Sequence, residues 1–310
     1  MKKCTYVIVF LALIALIYGL FWFSRVTIFS SEKPLHINFS RSAQTDNEPV
    51  EDPLRIAVSA MTSPQTTEAL YRDLLELIGE HLDKPVAFVQ RPTYGEIDDL
   101  LKNNRIDLAF VCSGSYALGH DDYGLQLLAI PIIKGQRVYH SDIIVAKDSP
   151  LTSLEALRDK RFTFTSKSSN SGCLAPTFLL AQRQETPQTF FASVTYSGTH
   201  DKAIHAVAHH ICDGAAVDSL ILNHMVKEQD PSALNVRVVE CSQNFGMPPV
   251  VVPPGIAPQL KQDLRDIFLS IHQSEQGRFI LDNLGIDFFT LANDSEYDGI
   301  REMAQVCIEH

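Results

Sequence analysis

No stretch of this chain is basic. Lysine and arginine number 26 against 37 aspartate and glutamate over 310 residues, a formal net charge of −11. The positive stripe that tracks a phosphate backbone is therefore missing, which argues against a nucleic-acid partner. It does not argue against an anionic ligand, because backbone N–H groups and hydroxyls can hold a buried anion without formal charge. The chain also lacks GxxxxGK[ST], so no nucleotide-type phosphate loop is present, and it lacks GxSxG, so no nucleophile elbow singles out one serine. Cysteine is sparse: Cys4, Cys112, Cys173, Cys212, Cys241 and Cys307 follow no zinc spacing. Five of them lie beyond the first apolar run, an odd number that leaves at least one thiol unpaired in an oxidising compartment. They read as small buried hydrophobes, with room for one disulfide.

What is present is globular in kind, 45% hydrophobic and 20% charged, with length enough for a large core or two lobes. One apolar run stands apart. Tyr6 to Phe23 contains no charged residue and follows Lys2 and Lys3. At about 1.5 Å per residue its roughly 18 residues reach about 27 Å, close to a bilayer's hydrocarbon thickness and longer than the core of a cleaved signal. No small-x-small cleavage site follows it, and Cys4 precedes it, so no lipoprotein acylation site is visible. Residues 1–25 are expected to be an N-terminal membrane anchor or signal, the length favouring an uncleaved anchor, with a cytoplasmic amino terminus by the positive-inside rule. Residues 26–53, polar and proline-bearing, are expected to be a tether.

From Leu54 the pattern alternates. Leu54–Ala60, Val86–Gln90 and Asp107–Cys112 read as strands, with helices over Thr66–His81 and Gly95–Lys102. Such βαβαβ alternation implies a mainly parallel sheet covered by helices. Leu125–Ile133 and Val138–Ala146 supply two more strands, and a helix begins over Ser153–Arg158. A second cycle follows: a strand at Arg161–Thr165, a hydroxyl-rich loop at Ser166–Gly172, a helix near Leu174–Leu180, and a strand at Phe190–Tyr196. It continues with a helix over Lys202–His210 and a strand at Gly214–Asp218. Pro248–Val252 reads as a strand returning to the first lobe, and Gln259–Gln273 and Glu275–Leu284 as closing helices. No internal sequence repeat is visible.

In open α/β sheets ligands collect at the carboxyl ends of strands. The loops there carry Thr93 and Tyr94, then Ser113, Ser115 and Tyr116, then Thr165 to Ser171, then Ser197 to Asp201, then Asp218 and Ser219. Hydroxyls and a glycine just ahead of a helix, as in SKSSNSG, can aim side-chain O–H and free N–H groups at one anion, or simply cap the helix. His200 can donate to an oxyanion, or lie near a surface cap. Asp218 beside an oxyanion requires that one of the two carry a proton; alternatively it caps the next helix. His205 and His209 have i,i+4 spacing, but no third ligand or catalytic Glu accompanies them, so no metal is expected. Phe190–Phe191 and the Phe279, Ile280, Leu284 stripe read as core.

These segments together resemble the substrate-binding proteins of phosphonate and phosphite ABC transporters, a branch of the periplasmic binding proteins. The resemblance runs through RIAVSAMTSP from Arg55, PTYGE from Pro92, IDLAFV from Ile106, YHSDIIV from Tyr139, SSNSG from Ser168, SGTHD from Ser197 and CDGAAVDS from Cys212. It implies a two-lobed α/β periplasmic-binding-protein fold of type 2, with mixed sheets and a two-strand hinge, here preceded by a transmembrane helix. Lobe one would be 54–137 with 245–310, and lobe two 138–244. By resemblance Tyr94 contacts the ligand from lobe one and Tyr139 from near the hinge. Ser169, Asn170 and Ser171 form the anion cradle, His200 and Asp218 complete it, and Ser115 and Tyr116 are weaker transfers. Asn170 departs from the Ser or Thr frequent there. The implied ligand is a phosphonate, phosphite or phosphate-like oxyanion, with no cofactor and no catalysis, and the implied partner is a membrane permease. The protein would sit on the periplasmic side of the inner membrane. A tethered sensor and an enzyme acting on a phosphorylated small molecule are the rival expectations.

Overall fold

The structure, a computed structural model, describes residues 52–309. The expected anchor and most of the expected tether lie outside them. Among the described residues no helix is long and apolar enough to cross a membrane.

The first part of the chain runs β1 (Leu54–Val58), α1 (Pro64–Leu82), β2 (Val86–Val89), α2 (Tyr94–Lys102), β3 (Leu108–Phe110), α3 (Ser113–Tyr123) and β4 (Gln126–Ile132). It crosses by β5 (Val138–Tyr139) into β6 (Ser141–Ala146), β7 (Arg161–Phe164), a π-helical turn at Asn170–Leu174, α4 (Ala175–Ala181), α5 (Pro187–Phe190) and β8 (Ser193–Tyr196). There follow α6 (His200–Ala208), β9 (Gly214–Asp218), α7 (Ser219–Lys227), α8 (Pro231–Leu234) and β10 (Val236–Cys241). The return passes through β11 (Phe245–Gly246) to β12 (Val250–Val252), α9 (Pro258–Ser270), α10 (Glu275–Leu284), β13 (Phe288–Thr290) and α11 (Asp298–Glu309).

Two sheets result. One has the order β13-β4-β12-β3-β1-β2 and the other β10-β6-β9-β7-β8, while β5 and β11 pair between them. Within each, the strands that carry the helical crossovers are parallel: β1 with β2 and β3, β7 with β8 and β9. The sheets are mixed rather than mainly parallel, because the returning β12 inserts antiparallel between β3 and β4, and β6 runs antiparallel to β9 and β10. Alternation sorts side chains to the two faces as a pleated strand requires. In β6, Ile143 and Val145 join one core cluster and Ile144 and Ala146 the other. In β1, Ile56 and Val58 face one cluster and Ala57 the other.

Several local expectations are corrected. Ser113–Tyr123 is a helix, not a loop; its first five residues are all buried, so no polar face marks it, and Gly124 at φ 79° ends it. Phe190 ends a short helix, opened by a reciprocal Thr186/Thr189 capping box, instead of starting a strand. The single strand expected over Val138–Ala146 breaks at His140, where the chain passes from the small crossing ladder to the second sheet. All five cysteines among the described residues are free.

Candidate anion-binding cleft

Six loops converge on one place because each follows the carboxyl end of a parallel strand. Ser59 follows β1, Tyr94 opens α2 after β2, and Cys112 and Ser113 follow β3. On the other sheet Ser169–Ser171 follow β7, His200 opens α6 after β8, and Asp218 ends β9.

Contacts join these groups across the two sheets. Asn170 donates through Nδ2 to the Tyr139 hydroxyl (3.0 Å), which also pairs with Ser113 Oγ at 2.5 Å. The Asn170 amide donates to Cys112 Sγ at 3.3 Å. The His200 amide donates to the Met61 carbonyl (3.0 Å), and the Ser63 amide to Asp201 Oδ2 (3.0 Å). The two halves are therefore hydrogen-bonded to one another along the rim, in a closed arrangement.

The cradle itself is built by close approach. Ser169 caps the π-helical turn by accepting from the Gly172 amide at 3.0 Å. A Cβ on Gly172 would fall 1.7 Å from Thr165 Oγ1, so only glycine lets the turn lie this near β7. The next loop bends at Gly198, φ +87°, where its amide donates to the Thr165 carbonyl at 2.7 Å.

Tyr94, Tyr139, Ser169, Asn170, Ser171, His200 and Asp218 are each no more than 3% exposed. Buried polar atoms are nearly always paired, and leaving one unpaired costs about 1–3 kcal/mol. Here Ser59 Oγ, Tyr94 OH, Asn170 Oδ1 and Ser171 Oγ are all buried without a hydrogen-bond partner. The Ser169 and Ser171 hydroxyls lie near enough to temper the proton affinities of Tyr94 and Asp218, but neither approach closes a well-formed hydrogen bond. Such a group of unpaired donors and acceptors fits a polar ligand that completes them.

Protonation follows from burial. Tyr94 and Tyr139 are held well above the usual tyrosine range by desolvation, so both remain O–H donors. Burial pushes the Cys112 thiol up, keeping it uncharged. His200 is driven down to about 3 by desolvation, and its Nδ1 accepts from the Asp218 amide at 3.0 Å. The imidazole is thus neutral with its proton on Nε2, a donor that carries no charge. Asp218 is raised to about 7 by burial, although Leu220 N–H donates to its Oδ1 at 2.7 Å. It stands ready either to donate a proton to an oxyanion or to accept one from it.

The family model for the ABC transporter, phosphonate, periplasmic substrate-binding protein matches residues 56–297. The chain belongs to this family. The phosphonates-binding periplasmic protein of Escherichia coli (strain K12) is 23% identical over 262 residues, covering 83% of this chain and 77% of that one. A binding protein component of an ABC phosphonate transporter from Pseudomonas aeruginosa superposes with a TM-score of 0.78 at 20% identity, covering 83% of this chain and 87% of the other. PhnD1 from Prochlorococcus marinus (MIT 9301), in complex with methylphosphonate, gives 0.71 at 19% identity, covering 81% and 97%. The two-lobed α/β fold with mixed sheets is thus shared with solved phosphonate-transporter proteins.

Of the residues expected to serve this family's site, seven gather in the cleft and two do not. Ser115 Oγ donates to Asp98 Oδ2 at 3.2 Å, and the Tyr116 hydroxyl to Asp294 at 2.8 Å, with the ring against Tyr297 in the core. Ser115, two positions along the helix from Ser113, lies on another face, and the Tyr116 ring is held by its own contacts with Tyr297 and Asp294. Ser59 and Cys112 belong to the cleft and were not expected; the signal for both was their place at the end of a strand. His205 and His209 stack with ring centroids 3.9 Å apart, and His209 Nδ1 lies 2.9 Å from the His205 carbonyl, so that pair is engaged within its own helix. Among the described residues, three side chains of metal-ligand type converge instead at His140, Asp142 and Cys241, where the strands cross. They contact one another, Asp142 Oδ1 lying 3.2 Å from His140 Nε2 and 3.3 Å from Cys241 Sγ.

Proposed function

We propose that this chain captures a phosphonate in the cleft between its two sheets, and that the closed, ligand-bound form is what a membrane permease recognises. As a member of a periplasmic substrate-binding family of ABC transporters it is a solute receptor. The observation that carries the ligand assignment is the group of buried, unpaired hydroxyls on Ser59, Tyr94 and Ser171, drawn from both sheets around Asp218, with Asn170 Oδ1 beside them as an acceptor for a protonated oxygen. A tetrahedral oxyanion accepts from several donors at once, and one protonated oxygen can meet the carboxylate.

Tyr94, Ser169–Ser171, His200 and Asp218 hold the anion on this reading, with Tyr139 at the crossing. The lobes are 54–137 with 245–310 and 138–244, and the crossing segments act as the hinge of an open and closed equilibrium. The apolar run Tyr6–Phe23 tethers the receptor to the periplasmic face of the inner membrane. That same run favours a second reading, a tethered sensor reporting occupancy to a membrane kinase. Reconstitution with a permease distinguishes the two by ligand-dependent uptake.

An enzymatic role has little support. His200 at about 3 is a poor base at neutral pH, and the Cys112 thiol is held protonated. Calorimetric titration of the full-length chain with methylphosphonate tests the assignment. Binding should weaken about five- to thirtyfold in Tyr94→Phe and in Ser171→Ala, the loss of one charge-assisted hydrogen bond. Equal affinity in all three proteins would remove the proposed cradle.

A further inference from the structure

Beyond the cradle the cleft continues as a cavity of about 420 Å³. It shares Ser59, Tyr139 and Asp218 with the anion end, but Tyr94, Ser169, Asn170, Ser171 and His200 do not line it. The cavity thus opens from the Asp218 end of the cleft, and its volume lies in the range of small-molecule pockets, about 300–1,000 Å³. Its apolar wall includes Leu70 and Tyr71 on α1, Ile221 on α7, and Leu284, Ile286 and Phe289 from the end of α10 to β13.

The rings of that wall interlock, with Phe268 packed behind Phe110 and Phe289. Tyr71 meets Phe110 edge-on at 5.0 Å, Phe110 meets Phe268 at 5.9 Å, and Phe268 meets Phe289 at 4.8 Å. A run of interlocked rings has little freedom to collapse into the space. Charge around the cavity is one-sided. Lys134 and Lys227 line it, with His224 held neutral by burial, whereas Asp218 is its single carboxylate and sits at the cradle end. An ammonium in the chamber would lose its hydration beside lysines and find no carboxylate of its own.

We propose that the ligand is an organophosphonate whose substituent is an alkyl or aryl group, uncharged or anionic at its far end, with the substituent filling this chamber. Inorganic phosphate and phosphite would leave the chamber unused, and aminoalkyl phosphonates would place a cation against Lys134 and Lys227. The inference rests on the phosphonate-binding reading of the same cleft.

The test is calorimetry on the full-length chain with methyl-, ethyl-, propyl- and butylphosphonate, phenylphosphonate, 2-aminoethylphosphonate and inorganic phosphate. Affinity should rise about fourfold per methylene from methyl to butyl, the gain expected for burying each CH₂. Propylphosphonate should bind at least tenfold more tightly than 2-aminoethylphosphonate, which has the same number of heavy atoms. Leu70→Trp, at a half-buried position on the chamber wall, should abolish the chain-length gain and leave methylphosphonate within about twofold, the latter also showing that the variant folds. Equal affinities from methyl to butyl in the unmodified chain, or tighter binding of the aminoethyl compound than of propyl, would overturn the chamber assignment while leaving the cradle intact. Silence toward every phosphonate would sink the cradle reading and this one with it.

Discussion

Asp218 makes affinity for a phosphonate depend on pH in a direction that can be worked out. Its carboxyl is buried, its pKa is raised to about 7 by desolvation, and its Oδ1 is already committed to the Leu220 amide. Two ionised oxygens cannot share that buried contact, so the complex must hold one proton between the carboxylate and the ligand. Below about pH 7 the free protein or the ligand brings that proton. Above the pKa values of both, binding takes it from solution, and the association constant falls up to tenfold per pH unit. Between pH 7 and 9 the loss approaches a hundredfold, about 2.7 kcal/mol. Asp218→Asn keeps an oxygen to cap α7 and offers an amide N–H that donates to an ionised oxygen at any pH. In that variant the slope should flatten, and at pH 9 it should bind more tightly than the unmodified chain. Titration of methylphosphonate at half-unit steps from pH 6 to 9 reads both curves. Parallel slopes in the two proteins, or a flat profile in the unmodified one, would refute the proton-sharing argument. The same carboxyl leaves a mark on stability without ligand. Its folded pKa lies above the ordinary 3.8, so the unfolded chain releases the proton first. Stability is greatest below about pH 4 and declines as pH rises to about 7, by at most about 4 kcal/mol. Asp218→Asn should recover part of that at pH 8, visible as a higher melting temperature.

His200 works in the opposite sense. The unfolded imidazole takes up a proton near its ordinary 6.5 while the folded one resists to about 3, so stability is present above 6.5 and lost as pH falls toward 3. His200→Gln should flatten melting temperature against pH between 4 and 6.5, a difference of about 3 kcal/mol over that interval; an unchanged acid limb would show that the ring is not held neutral. Closure has its own test in the bond from the Ser63 amide to Asp201 Oδ2 across the rim. Asp201→Ala should weaken methylphosphonate binding about five- to tenfold, because ligand affinity includes the cost of reaching the closed form. Scattering of the ligand-free variant should show a larger radius of gyration; identical affinity and radius would mean the bond does not favour closure.

Much of the cleft was legible because its chemistry is local to strand ends. Ser169, Asn170 and Ser171 sit in a loop whose hydroxyls and glycine announce a tight turn, and the structure adds the reason, the 1.7 Å a Cβ on Gly172 would leave to Thr165. Asp218 closes a strand whose limits, Gly214 and Asp218, agree in sequence and structure. Rotation was not legible. Ser115 and Tyr116 stand in the same donor-bearing segment as Ser113, yet once that segment is a helix they turn to Asp98 and Asp294. Strand β10 went unread because its burial is only partial and broken by a bulge between Val238 and Glu240. β13 is three residues long, too short for a period to show.

The chamber was invisible in the sequence for a different reason. Its walls are assembled from Leu70, Ile221 and Ile286, which no window brings together, and each alone reads as an ordinary core position. Local pattern therefore reaches the part of a receptor that holds the constant head of its ligand, because helix and strand termini supply those donors. The part that tells one substituent from another depends on which side chains the packed tertiary structure brings face to face. Asp218 belongs to both regions. As the N-cap of α7 it is fixed by local structure, and as a lining residue it marks where the anion ends and the apolar substituent begins. The buried carboxyl thus asks the proposed ligand for a proton to share, while Lys134 and Lys227 ask for a substituent that brings no positive charge of its own.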